Sequence, residues 1–445
     1  MSLALSLLAA ILISIAAPSL AHAHVGPPTL EQIAVDPNDP MHMIAGTNFG
    51  SLVSTDGGVT WGWICREAMR ASLDVNDPVV AIADDGSLFV ADGAGLWHGT
   101  PDGCDWSLAD PIFSGPIPSL TRGAPHVLFA GTGFDESNND LMRSTDDGAT
   151  WHAVIGPTFR VFYESVLVAP SDPMRVYAVG NLPPERAEAW MPNVLRSDDG
   201  GDTWSSVPYA LQDNEWHLFV MAIDPTDEDR VAIRTQDLHI GGHDRLLLST
   251  DGAHTFADAG QLQQVLAGLW SDDGTSLWIG GPLDGVWRSD DRGVSYAPAH
   301  TGLDVRGFLT RGSALWVTGT EAFDGFAIAS STDRGVTLPT FSHLSSITGI
   351  ASCPASSAVA QICPMHMDVI DGVFASEDGG MSIDASVAPA LDAGTDAASS
   401  SPDAASTPTT PPPAHCGCAL SSGQPTGLAM VLVGVALALL RRRTR

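Results

Sequence analysis

One run of residue types that could do chemistry is His239-Ile-Gly-Gly-His243-Asp244, preceded by Asp237, with a solvated loop as the plain alternative. Imidazoles four apart on a helix can hold a metal from one face. Here two glycines lie between them, just before the apolar run 246–248, so the pair belongs to a loop and the helical metal site fails. Met41-His42-Met43 and Met365-His366-Met367 combine thioethers with an imidazole, a set that suits Cu(I). Both stand where another stretch reads Asp172-Pro-Met-Arg-Val-Tyr177, ordinary strand sequence, so packing is the reading preferred. The acidic runs 135–140 and 224–229 offer oxygen ligands for calcium but match no EF-hand spacing. Glycosidic hydrolysis needs two carboxyl groups across a cleft. With 52 Asp and Glu, sequence alone singles out no such pair, and no catalytic residue, metal-ligand set or cofactor is assigned. Trp190, Trp216 and Trp270 could stack on a sugar or peptide, and Trp190 lies in the long insertion 181–192. Packing within a sheet is the plainer role for all three.

The elements that must position these groups come from a repeat. The pattern Ser-x-Asp-x-Gly-x-Thr-Trp occurs at 54–61, 144–151 and 197–204. Looser copies start at Ser249, Ser289, Ser331 and Ser376, and a degenerate one runs from Gly99 to Trp106. Successive starts are 40 to 53 residues apart. Each copy follows three short apolar runs separated by Asp-Pro or Gly turns and leads into a fourth. Four strands per unit of this length is the arithmetic of a propeller blade. The expected fold is therefore all-β, a single propeller of four-stranded blades over residues 24–384. Eight units are counted, with 345–386 as the eighth; seven blades is the second choice.

These octapeptides resemble the Asp-box, or bacterial neuraminidase repeat, of the sortilin-like propellers. The resemblance implies that Asp56, Asp146, Asp199, Asp251, Asp291, Asp333 and Asp378 are structural, on the rim away from the usual ligand face. It also raises sialidase chemistry, which would require an Arg-Ile-Pro motif, an Arg triad and a Tyr/Glu nucleophile pair. No Arg-Ile-Pro occurs, and Tyr163-Glu164 is the single adjacent Tyr/Glu pair. Related glycosidases carry two propellers on a much longer chain. The expected function is thus a non-catalytic binding module for extracellular protein or polysaccharide. The alternatives are a carbohydrate-active hydrolase or lyase with its site in the channel, and an envelope assembly scaffold.

Charge and termini give an address. Against 52 carboxylates stand 20 basic residues, all Arg, and four of those lie in the last five positions. A net charge of −32 excludes a general nucleic-acid binder. Residues 1–23 read as a secretory signal, an apolar run ending in Ala21-His22-Ala23. Residues 385–415 are an Ala/Ser/Thr/Pro/Asp linker expected to be disordered. Residues 416–445 join Cys416-Gly417-Cys418, a hydrophobic helix and an Arg cluster. That tail resembles the MYXO-CTERM sorting signals of myxobacterial surface proteins. It implies processing at Cys416 or Cys418 and attachment through a membrane helix. The expectation is a monomer at the cell surface or outer membrane of a Gram-negative bacterium. Cys65, Cys104, Cys353 and Cys363 are expected in disulfides in an exported domain. The pairs favoured by position are Cys353–Cys363 within the last unit and Cys65–Cys104 between neighbours.

Overall fold

The computed structural model describes residues 27–70, 78–134, 137–156, 158–183, 191–237, 239 and 241–378. The signal segment, Trp190, Cys416, Cys418, the linker and the tail lie outside them. Among the described residues no helix is long and apolar enough to cross a membrane.

Seven four-stranded antiparallel meanders follow one another in chain order. Blade 1 runs from strand Leu30–Val35 to Trp61–Ile64, blade 2 from Val79–Ile82 to Trp106–Leu108, and blade 3 from Ser119–Arg122 to His152–Ala153. Blade 4 runs from Phe162–Val168 to Ser205–Pro208 and blade 5 from Glu215–Asp224 to Ala257–Leu262. Blade 6 runs from Ala267–Trp270 to Ala297–His300, and blade 7 from Gly307–Arg311 to Thr340–Ser342. The first strand of each blade touches the first strand of the next, and that of blade 7 touches that of blade 1. The ring thus closes on its own N-terminal blade: Thr318 Oγ1 donates to Glu31 O at 2.9 Å and Leu30 N to Gly319 O at 3.5 Å.

The eighth unit is not a blade. Its first run, Ile347–Ile350, lies parallel to Trp61–Ile64 as a fifth strand on the outer edge of blade 1. The chain then turns helical, with Ser357 capping Ala358–Ile362 and a further helix over Met367–Asp378. Blade 1 already owns four strands, so the ring has no place for an eighth sheet. The apolar run 358–364 fits a helix face as readily as a strand, and the Ser357 side chain accepts from Ala360 N, a local signal for the helix. Asp378 therefore lies in a helix and not in a hairpin between strands.

The disulfide pairing also differs from expectation. Cys65 bonds to Cys363 and Cys104 to Cys353, spanning 298 and 249 residues. Cys65 follows the outer strand of blade 1, and Cys104 sits in the last hairpin of blade 2. The C-terminal segment crosses both, so each pair joins an early blade to the end of the ring. Neighbouring positions in sequence were the wrong guide, because the returning strand brings the late cysteines over the early ones.

Six octapeptide turns share one hydrogen-bond pattern. The serine Oγ donates to the Asp Oδ1 at 2.7–2.9 Å. That same Oγ accepts a backbone N–H four residues on, at 2.7–2.9 Å. The Asp Oδ2 accepts the Thr or Ser hydroxyl of the seventh position at 2.5–2.7 Å. The residue after the Asp is left-handed throughout, with φ from 56° to 77°. The degenerate blade 2 turn keeps the logic with Asp102, which accepts from Thr100 Oγ1 and Cys104 N. The closing Trp plugs the seam between blades: Trp151 of blade 3 packs edge-on to Phe89 of blade 2 and to Phe113, at 6.4 and 5.1 Å.

These bonds carry a pH signature. The hydroxyl of Thr203, the hydroxyl of Thr255 and the backbone N–H of Thr337 lead the donors that hold Asp199, Asp251 and Asp333 down to about 2. In Asp56 and Asp146 burial pushes upward, but the same donors more than offset it. A carboxylate with a depressed folded pKa contributes stability above its unfolded value, about 3.9, and loses it as pH falls through the folded value. Burial raises Asp140, Asp244 and Asp324, which act in the opposite sense, but the lowered carboxylates outnumber them. Thermal melts should therefore be flat above about pH 5 and drop steeply between about pH 4 and 2. A melting temperature unchanged at pH 3 would contradict this.

Candidate functional site

In each meander the first and third turns share one face, and the octapeptides lie there. The opposite face carries the middle turn of each blade and the linkers between blades. On that face, at blade 5, a polar cavity of about 360 Å³ opens. Linker residues Gln212, Asp213 and Asn214 form one wall; Asp237, His239 and His243 of the middle turn form the other. Glu215 and Arg245 make the floor.

The floor is rigid. Arg245 grips Glu215 with two parallel bonds, Nε–Oε1 at 2.8 Å and Nη2–Oε2 at 2.9 Å. Thr235 Oγ1 donates to the same carboxylate at 2.9 Å and Gln212 N at 2.6 Å. Burial pushes the Glu215 carboxyl upward, but Arg245 pulls it below its usual range. Its oxygens are thus committed to holding the linker. Asp237 faces the cavity differently. It is partly exposed and accepts the backbone N–H and ring N–H of His239, both at 2.9 Å. Burial again opposes, yet those bonds keep Asp237 ionised well into acid.

Beside the cavity stands Trp216, 40 % exposed. The pairing of Glu215–Asp224 with Asp227–Asp237 slips between Glu215 and His217, so Trp216 is the extra residue of a β-bulge. A bulge re-aims one side chain, and Trp216 stays well exposed to solvent. The first strand of blade 4 slips likewise at Glu164, whose Oε2 meets His217 Nδ1 at 3.0 Å and Asn181 Nδ2 at 2.7 Å. Arg234 stacks over Phe219 at 4.1 Å behind them. Blades 4 and 5 therefore concentrate charge and aromatic surface on one arc.

The other sequence candidates fall elsewhere. Trp270 is buried among Leu246, Ile279 and their neighbours, so its ring is closed to a ligand. Tyr163 is buried too, which removes it as a sialidase nucleophile beside Glu164. Met43 and His42 are buried, the latter paired with Asp36 at 3.0 Å, while Met365 is exposed and His366 lies 3.5 Å from Glu67. Those Met-His-Met runs form no shared site. Sequence reading missed a second carboxylate set on the cavity face. Asp140, Asp244, Asp284 and Asp324 each accept linker N–H groups: Ile155, Val265, Gln263 and Asp304, at 2.6–3.1 Å. The available signal was an Asp six to nine residues before Asp146, Asp251, Asp291 and Asp333, though none stands there before Asp56 or Asp199.

No protein-family profile matches the sequence. It is similar to the xyloglucanase Xgh74A of Acetivibrio thermocellus, 27 % identical over 279 residues, covering 51 % of this chain and 32 % of the relative. It is also similar to a xyloglucanase of Hypocrea jecorina, 26 % identical over 181 residues, covering 40 % and 19 %. The chain thus spans about a third or less of the length of these curated relatives. Among solved structures an ancestral GH74 enzyme superposes with a TM-score of 0.50 at 14 % identity, over 65 % of this chain and 43 % of that one, a likeness of fold. The expectation of a non-catalytic binding module is overturned here. The sequence relatives are named for an enzymatic activity on a polysaccharide, and they support the hydrolase alternative instead.

Proposed function

We propose that this chain is a carbohydrate hydrolase acting on a polysaccharide of the xyloglucan class, with its site on the cavity face of blade 5. The sequence match to xyloglucanases carries the reading, and the cavity offers the chemistry. Glycoside hydrolysis takes one carboxyl as proton donor and a second as base or nucleophile. Asp237, kept ionised by His239, suits the second role. Asp213, on the opposite wall, is the other carboxyl of this scheme. Glu215 and Arg245 hold the linker that carries Asp213. Trp216 offers a flat apolar face for a sugar ring.

The test is release of reducing ends from xyloglucan and other β-glucans by the full chain. Asp237→Asn should cut kcat by about 100-fold or more while leaving the circular dichroism unchanged. Trp216→Ala should raise KM roughly 2- to 10-fold, the value of one stacking contact. No release from any β-glucan would end the proposal. We further infer that the six octapeptide turns are Asp boxes, that the domain is exported, and that the C-terminal segment sorts it to the cell surface. Signal cleavage and surface labelling of the native protein test these.

A further inference from the structure

On the octapeptide face, four of the blade seams carry an Arg–carboxylate pair. Arg292 of blade 6, the residue after its octapeptide Asp, reaches back to Asp224 in the first turn of blade 5 at 2.8 Å. Arg334 holds the same position in blade 7 and binds Asp290 and Ser276 of blade 6 at 2.9 and 3.2 Å. Between blades 4 and 5, Arg175 bonds to Asp229. Between blades 3 and 4, Arg143 meets Asp202 at 2.6 Å.

The seam between blades 2 and 3 has a longer pair, Arg122 to Asp84, and adds a second carboxylate. The residue after its octapeptide Asp is Asp147, not Arg or Gly, in the same left-handed conformation at φ 56°. It faces Asp84 in the first turn of blade 2, so two carboxylates meet where the four seams above oppose unlike charges. His126 completes the group. Its Nδ1 lies 2.7 Å from Asp147 Oδ2, and its backbone N–H donates to Asp84 Oδ2 at 2.7 Å. Asp84 N donates to Asp147 Oδ1 at 3.0 Å. Arg122 approaches Asp84 at 3.7 Å, while Asp147 is held by the imidazole and by the Asp84 N–H.

We propose that Asp84, His126 and Asp147 form a binding site for a divalent first-row transition cation, zinc being the probe, which staples blade 2 to blade 3. One ligand atom from each residue lies within 4.8 Å of the other two. Two ligands about 2.1 Å from a tetrahedral zinc stand about 3.4 Å apart, so the Nδ1–Oδ2 pair, now 2.7 Å apart, has to open by a side-chain rotation to admit the ion. A mixed oxygen and imidazole set with open positions for water suits zinc or manganese better than calcium. The His126 ring is exposed, so the cation has a path in. The chemistry is that of the neighbouring seams, with a free cation in place of the guanidinium.

The experiment uses the full chain, stripped with chelator and titrated with zinc by calorimetry, with melting temperature read in parallel. The wild type should take up one equivalent that His126→Ala loses or binds at least 10-fold more weakly, and zinc should raise its melting temperature. Asp147→Gly should fold, because Gly57, Gly200 and Gly252 occupy the same turn position; it should lose that equivalent. Asp147→Arg copies blades 6 and 7 and should melt higher without zinc and ignore zinc. Uptake and melting shift unchanged in Asp147→Gly, or no response in the wild type, would overturn the assignment. Zinc held at the His239–His243 loop instead would show as uptake that survives all three variants, which also overturns it.

Discussion

Arg245→Ala should destabilise the propeller by about 3–5 kcal/mol, among the largest effects of any polar substitution here. Arg245 and Glu215 are both nearly excluded from solvent, with side-chain exposures of 8 % and 7 %. Removing the guanidinium leaves a buried carboxylate without its counter-charge, and the Tyr209 hydroxyl loses its partner at 2.9 Å. The damage should spread along the linker, since Glu215 also fixes Gln212 N. That linker carries the cavity wall, and Trp216 follows Glu215 directly. Activity on polysaccharide should therefore fall with stability. The double change Glu215→Gln with Arg245→Met removes both charges together and should cost much less, because no buried charge is left alone. Urea unfolding followed by circular dichroism measures both. A single variant within about 1 kcal/mol of the wild type would show that solvent reaches the pair.

Loss of the two disulfides should have an effect of similar size. Cys65–Cys363 and Cys104–Cys353 tie the returning C-terminal segment to blades 1 and 2. Each closes a loop that an unfolded chain would rarely close, and native disulfides of this kind contribute about 2–5 kcal/mol each. Their release frees Ile347–Ile350 from the outer edge of blade 1, where Ala351 N bonds to Trp63 O at 2.9 Å. It also exposes an edge strand, a template for aggregation. Cys65→Ser with Cys363→Ser should lower the melting temperature by many degrees and promote proteolysis after residue 345. Peptide mapping without reduction checks the premise. Fragments linking Cys65 to Cys104 would refute the crossed pairing. Cys65 and Cys363 are fully buried, so mild reductant should act slowly on that bond in the folded protein and quickly in the heated one, whereas Cys353 is only half-buried.

The amino-acid sequence by itself determined the blade and its turn. Ser, Asp, Gly and Thr act on one another within four residues in the octapeptide, so a local pattern carries the whole geometry. It also showed the spacing of His239 and His243 and placed them in a loop, where the structure adds the Asp237–His239 bond. It did not determine the blade number. An apolar run such as 358–364 fits either a strand or a helix, and the ring closes through contacts such as Thr318 to Glu31, 287 residues apart. Nor did it determine the cysteine partners, since four cysteines allow three pairings and only the returning strand chooses among them. The cavity was half legible. Its loop was visible, but Arg245 finds Glu215 from 30 residues away. Asp84 and Asp147 were invisible as neighbours, being 63 residues apart on adjacent blades. Interactions closed within one turn are written in the local residue order. Those closed between blades depend on how the ring stacks, and only the tertiary structure decides that.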